Sequence, residues 1–243
     1  MAEITIITAL FDGTKSAFGK KGWIPHSTEI YDASWADKLY RGLARNTSFD
    51  FELVCLVDDD YDFKEPIRSV PFNNLEEGWW AIREKYRSDI CDGKRVTMGL
   101  DTIICGDVDE IFSYDDFFAV ISDPGNHRVI CNGVTIASTD FIVEYQQMMD
   151  TDYKQVYKES MMTTKKYNPN NAIPSEMRLL QVRYPKADRL DRIYPDKIFS
   201  YREHIMKEPY KLDNARIVYF HGEPKPPELN NEDYTLKLME HWV

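Results

Sequence analysis

Residues 51–60 read Phe51-Glu-Leu-Val-Cys-Leu-Val57-Asp-Asp-Asp60, and this stretch decides the fold class. Its apolar run has the length and composition of a buried strand, and three carboxylates follow it directly. Strands that are buried on both faces are typical of parallel sheets, and open α/β sheets bind their ligands beyond the carboxyl ends of such strands. The sequence therefore predicts an α/β protein with Asp58 at a ligand-binding edge.

Strand-like and helix-like segments alternate along the rest of the chain. Further strands are predicted in residues 4–11, 96–105, 129–131 and 216–220, and helices in residues 35–43, 75–87 and 141–157, with a mixed or helical segment at 108–120. This alternation favours a mainly parallel sheet flanked by helices. The chain has 243 residues, enough for one substantial core, so we predict a single domain over residues 1–243.

Composition limits the partners that the chain can have. Forty-one acidic and 30 basic residues give a formal net charge of -11, which repels phosphate backbones and disfavours a nucleic-acid partner. The four cysteines form no Cys-x-x-Cys pair, which indicates reduced, buried thiols. No segment approaches the roughly 20 apolar residues that span a bilayer, so we expect no membrane partner and a cytoplasmic location.

The densest group of carboxylates lies in Met98-Gly-Leu-Asp101-Thr-Ile-Ile-Cys-Gly-Asp107-Val-Asp109-Glu-Ile-Phe112. Mg²⁺ and Mn²⁺ prefer oxygen ligands, and a carboxylate at the edge of a strand can hold such an ion beside a diphosphate. Asp101 is the best candidate for this role. Asp107 and Asp109 have an alternative interpretation, in which they cap the next helix or form a turn.

A second group follows the last predicted strand, in Val218-Tyr-Phe-His221-Gly222-Glu-Pro-Lys225-Pro-Pro. A neutral imidazole can bind a metal ion, an ammonium can neutralise phosphate, and a glycine allows close approach of the backbone to a ligand. These groups suit stabilisation of a departing diphosphate. The alternative is an ordinary turn with a surface lysine and a packed histidine.

Four segments together resemble the glycogenin-like family 8 glycosyltransferases and their phage-encoded relatives. The segments are the first strand ending in Thr8-Ala9, the run from Leu100 to Phe112, the Asn132-Gly-Val134 step and Phe220-His-Gly-Glu-Pro-Lys-Pro226. The resemblance implies a single-domain GT-A fold, which is Rossmann-like, with a mainly parallel sheet flanked by helices. It implies transfer of a sugar from a nucleoside diphosphate sugar, such as a UDP-sugar, with retention of anomeric configuration, to an acceptor that the sequence does not identify. A phage origin would place the protein in the host cytoplasm.

The same resemblance assigns roles at the nucleotide end of the site. Asp101 matches the second carboxylate of the family's Asp-x-Asp motif, and Gly99 stands at the first. His221 would complete the shell of a divalent cation, Mn²⁺ or Mg²⁺, and the loss of one carboxylate leaves open that the cation binds only with the donor or is not used. The expected contacts to the diphosphate, ribose and base are Thr8, Ala9, Asp58, Gly222 and Lys225.

At the sugar end the resemblance provides two catalytic candidates. Asn132 matches a sugar-binding asparagine, although the family's Asn-Ala-Gly step is shortened here to Asn132-Gly133. Glu176 corresponds to a carboxylate near the sugar, although Glu176-Met177 replaces the family's Asp-Gln pair.

Two other functions are compatible with this pattern. One is a catalytically degenerate, glycosyltransferase-like binding or scaffolding protein, in which Gly99 in place of the first carboxylate marks the loss of catalysis. A nucleotidyltransferase on a related sheet is a weaker alternative, because no glycine-rich phosphate loop follows the first strand.

Overall fold

The computed structural model of the chain describes residues 3–12, 31–74, 78–167 and 174–243. Its main feature is a seven-stranded sheet in the order β3-β2-β1-β4-β7-β6-β8. The strands are β1 (Ile4–Leu10), β2 (Phe51–Val57), β3 (Ile67–Pro71), β4 (Arg95–Met98), β6 (Phe118–Asp123), β7 (Asn126–Ala137) and β8 (Asp188–Arg189).

Most neighbouring strands of this sheet run parallel. β1 pairs in parallel with β2 and β4, β2 pairs in parallel with β3, and β6 pairs in parallel with β8. Only β7 is reversed, since it pairs antiparallel with both β4 and β6. The predicted α/β fold with a mainly parallel sheet is therefore confirmed, and the predicted strand at 51–57 has the bounds that the sequence indicated.

A smaller sheet brings the two chemically rich segments together. Its order is β5-β10-β9, with β5 (Thr102–Ile104), β9 (Ile198–Ser200) and β10 (Ile217–Tyr219). β5 pairs antiparallel with β10, so that Thr102 lies opposite Tyr219. Because Asp101 precedes the first of these residues and Phe220 follows the second, the acidic turn lies beside the segment that leads to His221.

Helices cover the sheet on both of its faces. They are α1 (Ala33–Asn46), α2 (Asp109–Phe112), α3 (Thr139–Tyr167), α4 (Glu176–Arg183), α5 (Leu190–Ile193) and α6 (Asp233–Met239). The 3-10 helices Gly78–Tyr86, Pro209–Asp213 and Pro226–Glu228 and the π-helical turn Tyr201–Ile205 complete the described helical segments.

Strand β6 shows how the two faces are filled. Ala119 and Ile121 pack in the same buried cluster as Leu39 of α1, on one face of the sheet. Phe118 and Val120 pack on the other face in a cluster with residues of α3 and α4. Alternate residues of a strand point to opposite faces, so the continuous apolar run of this strand is explained by burial on both sides.

Some elements differ from the sequence prediction. The segment 108–120 is divided between the short helix α2 and strand β6, rather than forming one helix. The polar segment 161–174, whose asparagines and two prolines favour a mobile loop, is helical up to Tyr167, and residues 168–173 lie outside the described residues.

All four cysteines are free, as predicted, although only Cys55 is fully buried. None of the helices in the described ranges has the length and apolar character needed to cross a membrane.

Candidate functional site

A cavity of about 640 Å³ opens where β1 and β4 end, and it has the size and the apolar walls with convergent polar groups that are typical of small-ligand sites. Its wall is formed by parts of the chain that are far apart in sequence. The residues that line it are Ala9, Phe11, Tyr31, Ile82, Lys85, Met98, Gly99, Leu100, Asp101, Thr102, Cys131, Asn132, Gly133, Ser175, Glu176, Met177, Tyr219, Phe220, His221, Gly222, Glu223 and Lys225.

An ion pair between Lys225 and Asp101 lies in the wall of this cavity. The ammonium nitrogen Nζ of Lys225 is 2.5 Å from Oδ2 of Asp101, and the two side chains are only 6% and 12% exposed. The hydroxyl of Tyr31 donates to the same carboxylate oxygen at 2.9 Å. A short, charge-assisted bond with little exposure holds its partners more firmly than a surface ion pair does.

The other oxygen of Asp101 lies against Gly99. A Cβ atom added to Gly99 would be 2.6 Å from Oδ1 of Asp101, closer than such atoms approach in proteins. Gly99 is therefore required for the position that the Asp101 carboxylate has here. An aspartate in its place would have to displace that carboxylate.

Tyr31 is a site residue that the sequence did not single out. Burial, and then the neighbouring Asp101 charge, raise the pKa of its phenol well above the ordinary value, so Tyr31 remains a hydrogen-bond donor. Its ring packs edge-on against Trp35 of α1, with 4.6 Å between the ring centroids. Its position directly before Asp32, whose side chain caps α1, was the available signal in the sequence.

His221 is held by a hydroxyl at the end of β9. Its Nδ1 lies 2.9 Å from Oγ of Ser200, and β9 is the parallel neighbour of the strand that precedes His221. Burial lowers the pKa of the imidazole, so the neutral form is favoured. Gly222 follows with φ 62°, a left-handed conformation that glycine adopts without strain.

A bulge in β7 delivers Asn132 to the cavity. Val120 of β6 lies opposite Thr135 of β7, but the next residue, Ile121, lies opposite Cys131. Residues 132–134 of β7 therefore have no paired residue in β6. Bulges re-aim side chains in this way, often near functional sites. The amide Nδ2 of Asn132 donates to Oε2 of Glu176, so the two predicted catalytic candidates are in direct contact.

Glu176 is the first residue of α4 and is buried at 1% exposure. Its backbone neighbour Ser175 is fixed to α3 by two hydrogen bonds, because the Ser160 hydroxyl donates to the Ser175 carbonyl and accepts from the Ser175 N–H. Oε1 of Glu176 has no hydrogen-bond partner among the described residues. A buried carboxylate oxygen without a donor is costly, so this atom is suited to accept a hydrogen bond from a ligand.

Lys85 is a second site residue that sequence reasoning missed. Lys85 lies three residues after Ile82 in the 3-10 helix Gly78–Tyr86, and both residues line the cavity. Burial lowers the pKa of Lys85 and raises that of Glu176, and in each case the opposite charge of the other residue works against that shift. Two buried groups of opposite charge therefore lie at one end of the cavity.

Two predicted nucleotide contacts do not reach the cavity. Thr8 is fully buried within β1 and is not part of the lining, and the next residue, Ala9, lines the wall. Asp58 lies at the expected edge, where its carboxylate accepts the backbone N–H of Asp12 at 3.1 Å and the Tyr61 hydroxyl at 2.9 Å, but it is not part of the lining.

Asp107 and Asp109 have structural roles at the start of a helix, as in the alternative interpretation of these residues. Oδ1 of Asp107 accepts the N–H of Asp109, the first residue of α2. The Asp109 carboxylate accepts hydrogen bonds from the hydroxyls of Thr47 and Ser48, which follow α1. Asp109 therefore joins the end of α1 to α2, Asp107 holds the start of α2, and neither residue lines the cavity.

The arrangement of Asp101 and His221 does not fit the divalent cation that the resemblance implied. Both residues line the cavity as predicted, but one oxygen of Asp101 is shared by Lys225 and Tyr31, and the other lies against Gly99. Within the described part of the chain, no three His, Cys, Asp or Glu side chains gather as ion ligands. Mn²⁺ and Mg²⁺ need several oxygen ligands, and Asp101 and His221 together offer one carboxylate, which is already paired with an ammonium.

No protein-family model matches the chain, and no curated protein matches it in sequence. Solved structures do match. The apo structure of the bifunctional glycosyltransferase WbbM gives a TM-score of 0.62 at 10% identity, over 100% of this chain and 50% of that one. The glycosyltransferase GlyE of Streptococcus pneumoniae TIGR4 gives 0.60 at 13% identity, over 99% of this chain and 63% of that one. The galactosyltransferase LgtC, in complex with donor and acceptor sugar analogues, gives 0.57 at 10% identity, over 98% and 96% of the two chains.

These matches establish the fold. The chain has the GT-A glycosyltransferase fold that the resemblance in sequence implied. It spans half of the WbbM chain and 63% of the GlyE chain, whereas it matches nearly all of LgtC.

Proposed function

We propose that the chain is a glycosyltransferase that moves a sugar from a nucleoside diphosphate sugar to an acceptor. One observation carries this proposal: a single cavity at the carboxyl edge of a GT-A sheet has Lys225 and His221 in one part of its wall and Asn132 and Glu176 in another. A nucleoside diphosphate sugar needs both a cationic group for its phosphates and hydrogen-bonding groups for its sugar. The residues were predicted separately from distant parts of the sequence, and their convergence favours one shared ligand.

The diphosphate is assigned to the segment after β10. Lys225 offers a point charge, Gly222 allows the backbone to approach closely, and the neutral His221 offers a hydrogen bond. Negative charge develops on the phosphate as the sugar departs, so groups that are already fixed in place stabilise the transition state. Ala9 lies near the end of β1, and Asp58 directly follows β2, the parallel neighbour of β1. We assign the base and the ribose to this edge of the sheet.

The sugar is assigned to the end of the cavity beside α4. The free Oε1 of Glu176 accepts a sugar hydroxyl, while Asn132 holds the other oxygen of the same carboxylate. Burial raises the pKa of this carboxyl, and the positive charge of Lys85 opposes that rise.

The reaction that we propose retains the anomeric configuration, as the family resemblance implies. The bond between the anomeric carbon and the leaving phosphate oxygen breaks, and a bond from the acceptor oxygen forms on the same face of that carbon. The acceptor proton passes to the leaving phosphate oxygen, so the reaction requires no protein base. Lys225 stabilises the charge on the diphosphate, and Glu176 fixes the sugar for attack.

Release of nucleoside diphosphate tests the proposal. UDP-, GDP-, ADP- and TDP-sugars are first screened by thermal shift, where a ligand at 100 times its dissociation constant stabilises the protein by about 2.7 kcal/mol. The donor that binds is then incubated with wild type, Glu176→Gln and the exposed control Glu240→Gln, and product release is measured.

We expect release by wild type and by Glu240→Gln, and a loss of at least about tenfold in Glu176→Gln, since a charge-assisted hydrogen bond to the sugar is weakened. Binding without release would favour the scaffolding alternative. No binding of any donor would contradict the proposal.

A further inference from the structure

The ion pair between Lys225 and Asp101 differs from an ordinary structural salt bridge in its position. It lies in the wall of the cavity, at the position where the family resemblance expects a cation, and its carboxylate also accepts the Tyr31 hydroxyl. A positive charge is therefore already present at that position, and it is supplied by the chain itself.

We infer that the Lys225 ammonium takes the place of the divalent cation, so that this chain binds the diphosphate of its donor without metal. The inference rests on the proposed function and adds the group that neutralises the diphosphate. It is based on the contacts of Asp101, whose Oδ2 already accepts hydrogen bonds from both the Lys225 ammonium and the Tyr31 hydroxyl.

The number of charges around Asp101 is consistent with an ammonium in place of a divalent cation. Two carboxylates near a diphosphate would repel it, and only a divalent ion between them would make the site attractive. With glycine at position 99, Asp101 is the one carboxylate that remains of the family's acidic pair, and one ammonium balances it. The site has therefore lost one negative charge and does not need the second positive charge of a divalent cation.

Lys225 is also positioned for a phosphate. Its ammonium has three N–H donors, of which Asp101 takes one, and the other two have no acceptor among the described residues. The backbone N–H of Lys225 donates to Oε2 of Glu228 at 2.7 Å, which fixes the start of the 3-10 helix that follows. A preorganised ammonium with low exposure interacts with a phosphate more strongly than a solvated surface lysine does.

The residue at position 99 affects both the ion pair of Asp101 with Lys225 and the number of carboxylates beside it. The added Cβ would be 2.6 Å from Oδ1 of Asp101, so any side chain at position 99 moves the carboxylate away from its place beside Lys225. An aspartate there adds a second carboxylate as well. Gly99→Asp should therefore both disturb the ammonium pair and create a pair of metal ligands, whereas Gly99→Ala should only disturb the pair.

Calorimetric titration of the full chain tests the inference. UDP, GDP, ADP and TDP are titrated in excess EDTA and again in excess MnCl2, and the nucleotide that binds most tightly is used for the variants. We expect dissociation constants of wild type in EDTA and in Mn²⁺ that agree within about threefold. Nucleotide binding that disappears in EDTA and returns with Mn²⁺ would overturn the inference while leaving the proposed function intact. No binding in either condition would overturn both.

The variants separate a phosphate-binding lysine from a structural one. Lys225→Met should weaken nucleotide binding in EDTA by about tenfold or more, which corresponds to about 1.4 kcal/mol, while the exposed control Lys154→Met leaves it unchanged. A Lys225→Met protein that is less stable but binds with wild-type affinity would contradict the inference.

Gly99→Asp provides a test that does not depend on loss of function. It should bind the nucleotide weakly in EDTA and regain affinity in Mn²⁺, whereas Gly99→Ala should be weak in both. Equal, metal-independent affinity of wild type and Gly99→Asp would show that the pair of Asp101 and Lys225 does not set the metal requirement.

Discussion

Removal of the Tyr31 hydroxyl measures how firmly the Asp101 carboxylate is held. Tyr31→Phe keeps the ring that packs against Trp35, with 4.6 Å between centroids, and removes only the hydrogen bond of 2.9 Å to Oδ2 of Asp101. Lys225 remains at 2.5 Å from the same oxygen, so the carboxylate does not become an unpaired buried charge. The loss is therefore limited to one hydrogen bond to a charged group.

Such a bond contributes about 1.5–3 kcal/mol to stability. In a domain of this size, 1 kcal/mol changes the unfolding midpoint by roughly 2–4 °C, so a decrease of roughly 3–6 °C is expected for the lower value. The assay is calorimetric unfolding at neutral pH, where the raised pKa of the Tyr31 phenol keeps it protonated. Tyr40→Phe is the matched control, because that ring packs on Phe51 and its hydroxyl is not part of the Asp101 group. A midpoint for Tyr31→Phe equal to that of the control would refute the reasoning.

Three further predictions follow from the same site. Glu176→Gln should keep the affinity for the free nucleoside diphosphate while losing affinity for the sugar-bearing donor, as measured by parallel titrations; equal losses for both ligands would contradict the assignment of Glu176 to the sugar. Burial lowers the pKa of His221 from 6.5, so the unfolded chain takes up a proton first as the pH falls. Wild type should therefore lose stability as the pH falls from about 6.5 to the folded pKa. Denaturant unfolding of His221→Gln should show a smaller loss of stability over that pH range, and identical pH profiles of the two proteins would disprove the predicted direction. Gly133→Ala places a Cβ 3.1 Å from Cδ1 of Ile121 and 3.2 Å from Cδ2 of Tyr219, and overpacking of this kind costs about 1–3 kcal/mol, which unfolding measurements would detect; unchanged stability would mean that the bulge is not closely packed.

The predicted strands and helices were recovered where one local pattern determined them. The apolar run 51–57 is a buried parallel strand because both faces of the sheet are covered, and such burial leaves a signal in the composition of the strand itself. The helix predicted at 35–43 forms the middle of α1, since its apolar residues repeat at helical spacing. Strand β7 was only partly recognised, because the bulge around Asn132 interrupts its pairing and the local pattern does not record pairing partners.

The candidate site could be predicted only as separate motifs. Asp101 and Lys225 were both singled out, but 124 positions separate them, and their ion pair follows from the antiparallel pairing of β5 with β10. Tyr31 was missed because its contact with Asp101 joins positions that are 70 residues apart, and its place before the helix cap Asp32 does not specify that contact. The pairing of Lys85 with Glu176 likewise depends on the packing of α4 against the 3-10 helix, which no local sequence pattern specifies.

A crystal structure of the chain with a non-transferable nucleoside diphosphate sugar analogue tests the central claim most directly. We predict phosphate oxygens within about 3.2 Å of Nζ of Lys225, and a sugar hydroxyl at hydrogen-bond distance from Oε1 of Glu176. A chain that binds the analogue outside this cavity, or with the sugar beside Lys225 and the diphosphate beside Glu176, would contradict the account.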